Sequence, residues 1–314
     1  MIDNSSTPVE TASSVVQQTT SRSRILSRLR RWAYRGTAGF VGLYVLLIVV
    51  LVTNETSLVY PAPPFDPSKW SPLPSDVEEM WCEMENGWQV HGWYLTHPAA
   101  ERVILHCHGN AEDVAGVFRT TGRELSERLQ ANVLIFDYPG FGQSHGSPSE
   151  ETCIESGNLA LAWLCERTDM TPDQIILYGR SLGGGIAVAL AQRHGAKALI
   201  LDRTFDSITN PGAARYPWAP VKLLMRNRYP SAERIRDCAM PCFISHFEGD
   251  EVVPIWSGQR LYESATAASK REFVRMPGGN HLAPLPASYW PRLNKFLQEI
   301  ESVAIQSQLL GSEQ

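Results

Sequence analysis

Between residues 76 and 303, short apolar runs alternate with longer segments of helical spacing. Six runs rich in Val, Ile and Leu predict strands at Arg102 to His106, Asn132 to Asp137, Gln174 to Gly179, Ala198 to Asp202, Cys242 to His246 and Glu272 to Met276. The intervening helices are predicted near 112–129, 150–167, 183–194, 255–265 and 288–303. Such alternation predicts an α/β fold with a mostly parallel central sheet and helices on both faces.

Two segments depart from this alternation. Residues 77–84 and 88–96 alternate in β fashion around Asn86-Gly87, a dipeptide typical of tight hairpin turns, so an antiparallel hairpin should open the domain. Residues 205–237 contain four prolines and fit no single packed helix. We expect a short cap insertion there that shapes a substrate pocket, with a plain connection of helix and loops as the alternative.

A second apolar pattern lies near the amino terminus. Residues 36–54 are uncharged, and at about 1.5 Å per residue they would form a helix of about 28 Å, close to the thickness of a bilayer core. We therefore expect a transmembrane helix at 36–54, with the lipid bilayer as a partner. A buried core helix and a cleaved signal peptide are the alternatives. Prolines 61, 63 and 64 follow the stretch, and no A-x-A-like cleavage site suits a signal peptide.

Charge is distributed unevenly along the chain. Residues 1–36 contain six Arg and two acidic residues, whereas the rest of the chain has 22 Lys and Arg against 31 Asp and Glu. By the positive-inside rule, the amino terminus should be cytoplasmic and the main domain should lie outside the cytoplasm. No basic, aromatic-rich stretch suggests nucleic acid as a partner. We expect a disordered basic tail at 1–35, a Pro-rich linker at 55–75 and a carboxy-terminal tail at 304–314.

The six cysteines do not identify the compartment. Cys107, Cys153 and Cys165 fall in predicted strands or helices, where a buried thiol is the ordinary interpretation. Cys238 and Cys242 flank Pro241 closely enough to pair if they are oxidised.

The clearest chemical signal is a G-x-S-x-G motif at a predicted strand-to-helix turn. Ser181 is its centre, and Gly179 and Gly183 lack the side chains that would prevent so tight a turn from closing. A serine there is a candidate nucleophile, and the backbone N–H of Leu182 could donate to an oxyanion. A Gly-rich connection with a solvated serine is the alternative.

Partners for Ser181 follow in chain order. His281 is the only histidine after the last predicted strand and is the candidate general base. Asp250 leaves the preceding strand and could orient the His281 ring. Glu248, Glu251 and Asp202 are rival acids.

A loop after the first parallel strand completes the candidate site. The sequence His108-Gly109-Asn110-Ala111 could supply a second oxyanion donor, from the N–H of Asn110 or Ala111, with His108 and Gly109 supporting the loop. His106 and His108 have no third ligand at a useful spacing, so we expect no metal, and the proposed chemistry requires no cofactor.

The full motif set resembles the α/β-hydrolase superfamily over residues 76–303. It comprises His108-Gly-Asn-Ala, Asp137-Tyr-Pro-Gly-Phe-Gly-Gln-Ser, Gly179-Arg-Ser-Leu-Gly-Gly, Glu248-Gly-Asp-Glu-Val-Val-Pro and Gly278-Gly-Asn-His. Three segments of the chain, His108-Gly-Asn-Ala, Gly179-Arg-Ser-Leu-Gly-Gly and the cap segment Tyr216-Pro-Trp-Ala-Pro-Val-Lys-Leu-Leu-Met, are similar to sequences of serine-aminopeptidase-like and abhydrolase-domain proteins. The relatives of those proteins include membrane-associated thioesterases that remove palmitate. This chain departs from those relatives, which carry a Cys-rich lipidated amino terminus where it has an apolar helix.

The resemblance implies serine hydrolysis through an acyl-enzyme, without identifying the acyl donor. Together with the predicted transmembrane helix, it leads us to expect a membrane-anchored serine hydrolase that cleaves an ester, thioester or amide with Ser181, His281 and Asp250 as its triad. The substrate would carry an acyl group on a small molecule, a lipid or a peptide, and ester-type bonds are favoured over peptide bonds. A peptidase of the same fold and a membrane-tethered binding protein without catalytic activity are the alternatives.

Overall fold

The computed structural model of the chain describes residues 10–70 and 72–311, and it leaves out the side chains of 10–26, 304, 305 and 307–311. The chain divides into two compact units, and the boundary between them follows Asn54.

The first unit contains one long helix, α1 (Glu10–Thr53). Its part from Ser27 to Thr53 is long and apolar enough to cross a membrane, and no side chain in that part is buried. The helix extends through much of the tail that we expected to be disordered to residue 35, while residues 1–9 lie outside the described residues. The physical reason is composition: Arg, Leu and Ala favour helix, and no proline occurs between Pro8 and Pro61.

The second unit is built on an eight-stranded sheet. Its strands are β1 (Val77–Glu83), β2 (Gln89–Leu95), β3 (Arg102–Cys107), β4 (Ala131–Phe136), β5 (Ile176–Arg180), β6 (Ala198–Asp202), β7 (Cys242–Phe247) and β8 (Arg271–Met276). They lie in the order β1-β2-β4-β3-β5-β6-β7-β8. The β1–β2 and β2–β4 pairs are antiparallel and all other pairs are parallel, which confirms the predicted hairpin and parallel sheet.

Helices cover both faces of this sheet. They are α2 (Glu55–Val59), α3 (Val114–Val117), α4 (Arg123–Leu129), α5 (Glu150–Thr168), α6 (Leu182–His194), α7 (Thr209–Arg215), α8 (Val221–Leu224), α9 (Ser231–Arg234), α10 (Ile255–Ser264) and α11 (Tyr289–Gly311). Alternate strand residues enter two separate cores: Leu105 packs with α5 and α6, and Ile104 packs with α4 and α11. Helix α11 continues to Gly311 because no glycine or proline interrupts it after Pro291, so the predicted tail at 304–314 is helical through residue 311.

The predicted linker at 55–75 packs against the domain over much of its length. Helix α2 opens it, Tyr60 is 3% exposed, and the Trp70 ring contacts Trp93 edge-on at 5.3 Å between ring centroids. Two buried aromatic rings provide more apolar contact than a solvated linker would. The Pro-rich stretch is therefore a docked segment.

The cap insertion is shorter than predicted. Phe205 and Asp206 at its start, and Tyr229, Ser231 and Ile235 at its end, are buried in the domain. The more exposed part is 207–228, which we call the cap; it carries α7 and α8. Its prolines keep these helices short, as expected for residues that lack an N–H.

Candidate active site

The turn between β5 and α6 carries Ser181 in a backbone conformation that few residues other than glycine adopt, with φ 51° and ψ −116°. A Cβ on Gly183 would lie 2.0 Å from the carbonyl oxygen of Cys107. A Cβ on Gly179 would lie 2.6 Å from the Cα of Gly184. Both positions require glycine, and their close packing holds the serine at the amino terminus of α6.

Three loops at the carboxyl ends of the parallel strands bring Ser181, His281 and Asp250 together. The hydroxyl Oγ of Ser181 lies 2.9 Å from Nε2 of His281, and Nδ1 of His281 lies 2.7 Å from Oδ2 of Asp250. The carboxylate can only accept, so Nδ1–H donates to it and Nε2 is left to accept the Ser181 proton. All three residues are buried. The arrangement can remove a proton from the serine hydroxyl.

Asp250 is held as a carboxylate by its neighbours. Oδ1 accepts hydrogen bonds from the backbone N–H groups of Val252 and Val253, at 2.9 and 2.8 Å. Burial raises the pKa of the Asp250 carboxyl, but the side-chain hydrogen bonds of His246 and His281 outweigh burial and lower that pKa overall.

His246 was not foreseen in this role. Its Nε2 donates to the carbonyl oxygen of Val253 at 2.7 Å and lies 3.4 Å from Oδ2 of Asp250. The only sequence signal was its position in β7, four residues before Asp250.

The rival acids contact other groups. Asp202 forms a buried ion pair with Arg203, at 2.6 Å from Nη2, and accepts a hydrogen bond from the Ser245 hydroxyl. Glu248 is paired with Arg275, and Glu251 is exposed.

Arg203 links Asp202 indirectly to the loop that carries His281. Its Nη1 donates to the backbone carbonyls of His281 and Ala283, at 3.0 and 2.6 Å. Asp202 therefore supports the position of His281 through Arg203, although it does not touch the ring.

The loop after β3 lies beside the nucleophile, since a Cβ on Gly109 would be 3.5 Å from the Cβ of Ser181. His108 donates through Nδ1 to the carbonyl of Gly109 at 2.8 Å, and the Tyr138 hydroxyl donates to the carbonyl of His108 at 2.7 Å. Among the described residues, no hydrogen bond occupies the N–H of Leu182 or of Asn110. Those two N–H groups are thus available to an oxyanion.

The sequence did not predict a further contact, the ion pair between Arg180 and Glu112. Glu112 accepts a hydrogen bond from the N–H of Gly109 at 2.7 Å and pairs with Arg180. Arg180 in turn donates to the carbonyl of His281 at 3.3 Å. The pair therefore connects the loop after β3 to the loop that carries His281. The position of Arg180 directly before Ser181 was the only hint.

Within the residues that the structure describes, no three His, Cys, Asp or Glu side chains are grouped so that they could hold a metal ion. The described cysteines, Cys238 and Cys242 included, are free thiols.

Comparison with known proteins agrees with this architecture. The family model for the alpha/beta hydrolase fold matches residues 102–235. An uncharacterized protein of Mycobacterium tuberculosis, Rv2307c, is 34% identical over 244 residues, which cover 76% of this chain and 84% of the relative. The alpha/beta hydrolase domain-containing protein WAV2 of Arabidopsis thaliana is 29% identical over 287 residues, covering 83% of this chain and 93% of WAV2.

Among solved structures, the Pyrococcus furiosus esterase Pf2001 superimposes with a TM-score of 0.62 at 17% sequence identity, covering 76% of this chain and 97% of the esterase. At that identity the likeness concerns the fold alone. The matched family model, the relatives and the sheet topology together show that this chain belongs to the α/β-hydrolase fold family.

Proposed function

We propose that the protein is a serine hydrolase that cleaves ester or thioester bonds through a covalent acyl-enzyme. The observation that carries the proposal is the continuous hydrogen-bond chain from Ser181 through His281 to the ionised Asp250. A nucleophile, a base and a group that orients the base are the parts that acyl transfer requires.

The proposed reaction has two halves. Ser181 Oγ attacks the substrate carbonyl carbon while its proton moves to Nε2 of His281, and the N–H groups of Leu182 and Asn110 stabilise the oxyanion. The tetrahedral intermediate then expels the leaving group, which takes the proton from His281. Water attacks the acyl-enzyme in the second half, with His281 again as base, and releases the acid and free Ser181. Asp250 stabilises the imidazolium throughout.

The preference for esters over peptides is supported by the esterase that shares this fold. Exposed apolar side chains next to the catalytic residues also support an acyl substrate: Leu282 follows His281 and is 79% exposed, and Val252 is 62% exposed.

Membrane anchoring is part of the same proposal. Helix α1 has the length and composition of a spanning helix from Ser27 to Thr53, and six arginines precede its apolar core. By the positive-inside rule the amino terminus would face the cytoplasm and the hydrolase domain would face the other side.

A hydrolysis panel on the detergent-solubilised full chain tests this function. The substrates are p-nitrophenyl esters of short to long acyl chains, an acyl-thioester and aminoacyl-anilides, with Ser181→Ala as the matched control. We expect ester and thioester turnover that Ser181→Ala lowers by about 10³-fold or more. Cleavage of anilides alone would favour a peptidase, and equal rates in the two proteins would contradict the proposal.

A further inference from the structure

The chain enters the hydrolase domain through a buried carboxylate. Glu55 is 6% exposed although it directly follows Asn54, the last residue of the first unit. Its Oε1 accepts hydrogen bonds from the N–H of Arg226, the N–H of Asn227 and the Asn227 side-chain amide, at 2.9, 2.9 and 2.8 Å. Its Oε2 accepts from the Arg226 guanidinium at 3.2 Å. We call these contacts the Glu55 clamp.

The clamp continues into a buried polar network. The Tyr60 hydroxyl donates to Oδ1 of Asn227 at 2.9 Å and lies 3.0 Å from the Tyr229 hydroxyl. Glu150, at the start of α5, accepts from the N–H groups of Arg228 and Tyr229, at 2.7 and 2.9 Å. These contacts fix the end of the cap to Glu55, Tyr60 and Glu150, all of which belong to the second unit.

The cap that the clamp holds differs in charge from the rest of the domain. Its residues 207–228 contain four cations, Arg215, Lys222, Arg226 and Arg228, and no Asp or Glu, whereas acidic residues outnumber basic ones after residue 36. All four side chains are exposed or partly exposed. Glu55 offsets one of them through Arg226.

Large apolar side chains lie among these cations. Leu223 is 75% exposed and Trp218 is 46% exposed, and in α2 Leu58 is 51% exposed, three residues after Glu55. Basic residues mixed with exposed Trp and Leu are typical of protein surfaces that lie in the headgroup layer of a bilayer.

From these observations we propose that the cap, with Leu58, is a membrane-docking surface that rests on anionic lipid headgroups. The inference rests on the proposed membrane anchor. Consecutive Cα atoms are about 3.8 Å apart, so a chain that leaves the bilayer at Asn54 and is clamped from Glu55 to Arg226 keeps the end of the cap close to that bilayer. Proximity, positive charge and exposed apolar side chains thus coincide at one segment.

Depth-dependent quenching in vesicles tests the docking. The full-length protein, with the partly exposed Cys82 and Cys165 changed to serine, receives Trp218→Cys or Leu223→Cys and an environment-sensitive fluorophore at the new thiol. The matched control is Ala99→Cys, an exposed site in the turn before β3, at the end of the sheet opposite Ser181. Vesicles contain phosphatidylcholine with or without phosphatidylglycerol and a doxyl-labelled quencher lipid.

We expect the probes at 218 and 223 to be quenched at least about twofold more than the probe at 99, and the difference to grow with phosphatidylglycerol and shrink in about 1 M salt. The double variant Arg215→Glu/Lys222→Glu should remove the dependence on phosphatidylglycerol. Equal quenching at all three sites, in protein that resists carbonate extraction, would overturn the docking and leave the hydrolase proposal intact. Release of the protein by carbonate would overturn the anchor and the docking together, again without touching the Ser181 chemistry.

Discussion

Asp202 ends one parallel strand and Asp250 follows the next, and both are buried, yet their side chains contact different partners. Asp250 contacts the ring of His281 at 2.7 Å, whereas Asp202 is paired with Arg203. Arginine is charged at every accessible pH, so its ion pair with Asp202 is permanent. An imidazole, in contrast, can gain and lose its charge during a reaction. The chemical nature of the partner, more than the position on the strand, therefore determines what each carboxylate can do.

Both carboxylates nevertheless act on the same histidine. Asp250 acts on the His281 ring, and Asp202 acts through Arg203 on the backbone carbonyl of His281. We therefore expect that removing the first charge mainly lowers turnover and that removing the second mainly destabilises the fold.

The largest expected effect comes from Asp250→Asn. An asparagine can donate to Nδ1 and so favour the tautomer whose Nε2 is protonated and cannot accept the serine proton. We expect kcat to fall by about 10³- to 10⁴-fold, a loss much larger than the accompanying loss of stability, as measured in steady-state assays beside thermal melts. A larger loss of kcat in Asp202→Asn than in Asp250→Asn would reverse the assignment of the two acids.

Asp202→Asn should instead lower the free energy of unfolding by about 3 kcal/mol, because it leaves the Arg203 guanidinium buried without its carboxylate. Urea unfolding in detergent measures this change. The matched control is the double variant Asp202→Asn/Arg203→Gln, which removes both charges and should recover part of the loss. If the double variant is less stable by the sum of the two single effects, the ion pair is not the source of the loss.

His246 is a second histidine beside Asp250, and its effect on that carboxylate can be tested separately. His246→Leu removes the Nε2–H that lies 3.4 Å from Oδ2 of Asp250, and we expect kcat to fall by about tenfold, or about 1.4 kcal/mol, near the upper end of the net value of one ordinary hydrogen bond. His246→Gln retains an N–H and should restore most of the rate. The pH profile of kcat should shift in the Leu variant alone. Equal losses and unshifted profiles in both variants would indicate a purely structural role.

Glu55 is a third buried carboxylate, and backbone N–H groups and an arginine hold it in place. Burial raises the pKa of Glu55, but hydrogen bonds from Asn227 and Arg226 lower it overall. A lowered folded-state pKa contributes stability above the unfolded-state pKa of about 4.3, and this stability is lost as the pH falls through the folded-state value.

Glu55→Gln should therefore reduce the free energy of unfolding by about 1 kcal/mol at pH 7, and the difference from wild type should shrink as the pH falls below about 4. Thermal melts of the two full-length proteins across this pH range provide the check. A difference that grows in acid would contradict the sign of the pKa shift.

The sequence was sufficient for the sheet, and it also singles out the three side chains that the structure brings together, because their signals are local. Apolar runs mark the strands, and each of Ser181, Asp250 and His281 follows a strand within a short motif. Gly179 and Gly183 were also identified, because a tight turn requires glycine at those positions.

The missed contacts join residues that are distant in the chain. Arg180 meets Glu112, 68 positions away, and Glu55 meets Asn227, 172 positions away. Glu112 and Glu55 belong to no motif, so nothing local distinguishes Glu55 from a solvated acid at the start of a linker. Tyr60 and Trp70 were interpreted as linker residues for the same reason, since their partners lie elsewhere in the fold.

A fluorophosphonate probe tests whether Ser181 is a nucleophile activated by His281. We expect one covalent adduct on the wild-type protein, located at Ser181 by peptide mass spectrometry. We also expect no adduct on Ser181→Ala, and labelling slowed by about 10²-fold or more in His281→Ala. Labelling of Ser181→Ala at the wild-type rate, or an unreactive wild-type protein with its fold intact, would contradict the role proposed for Ser181.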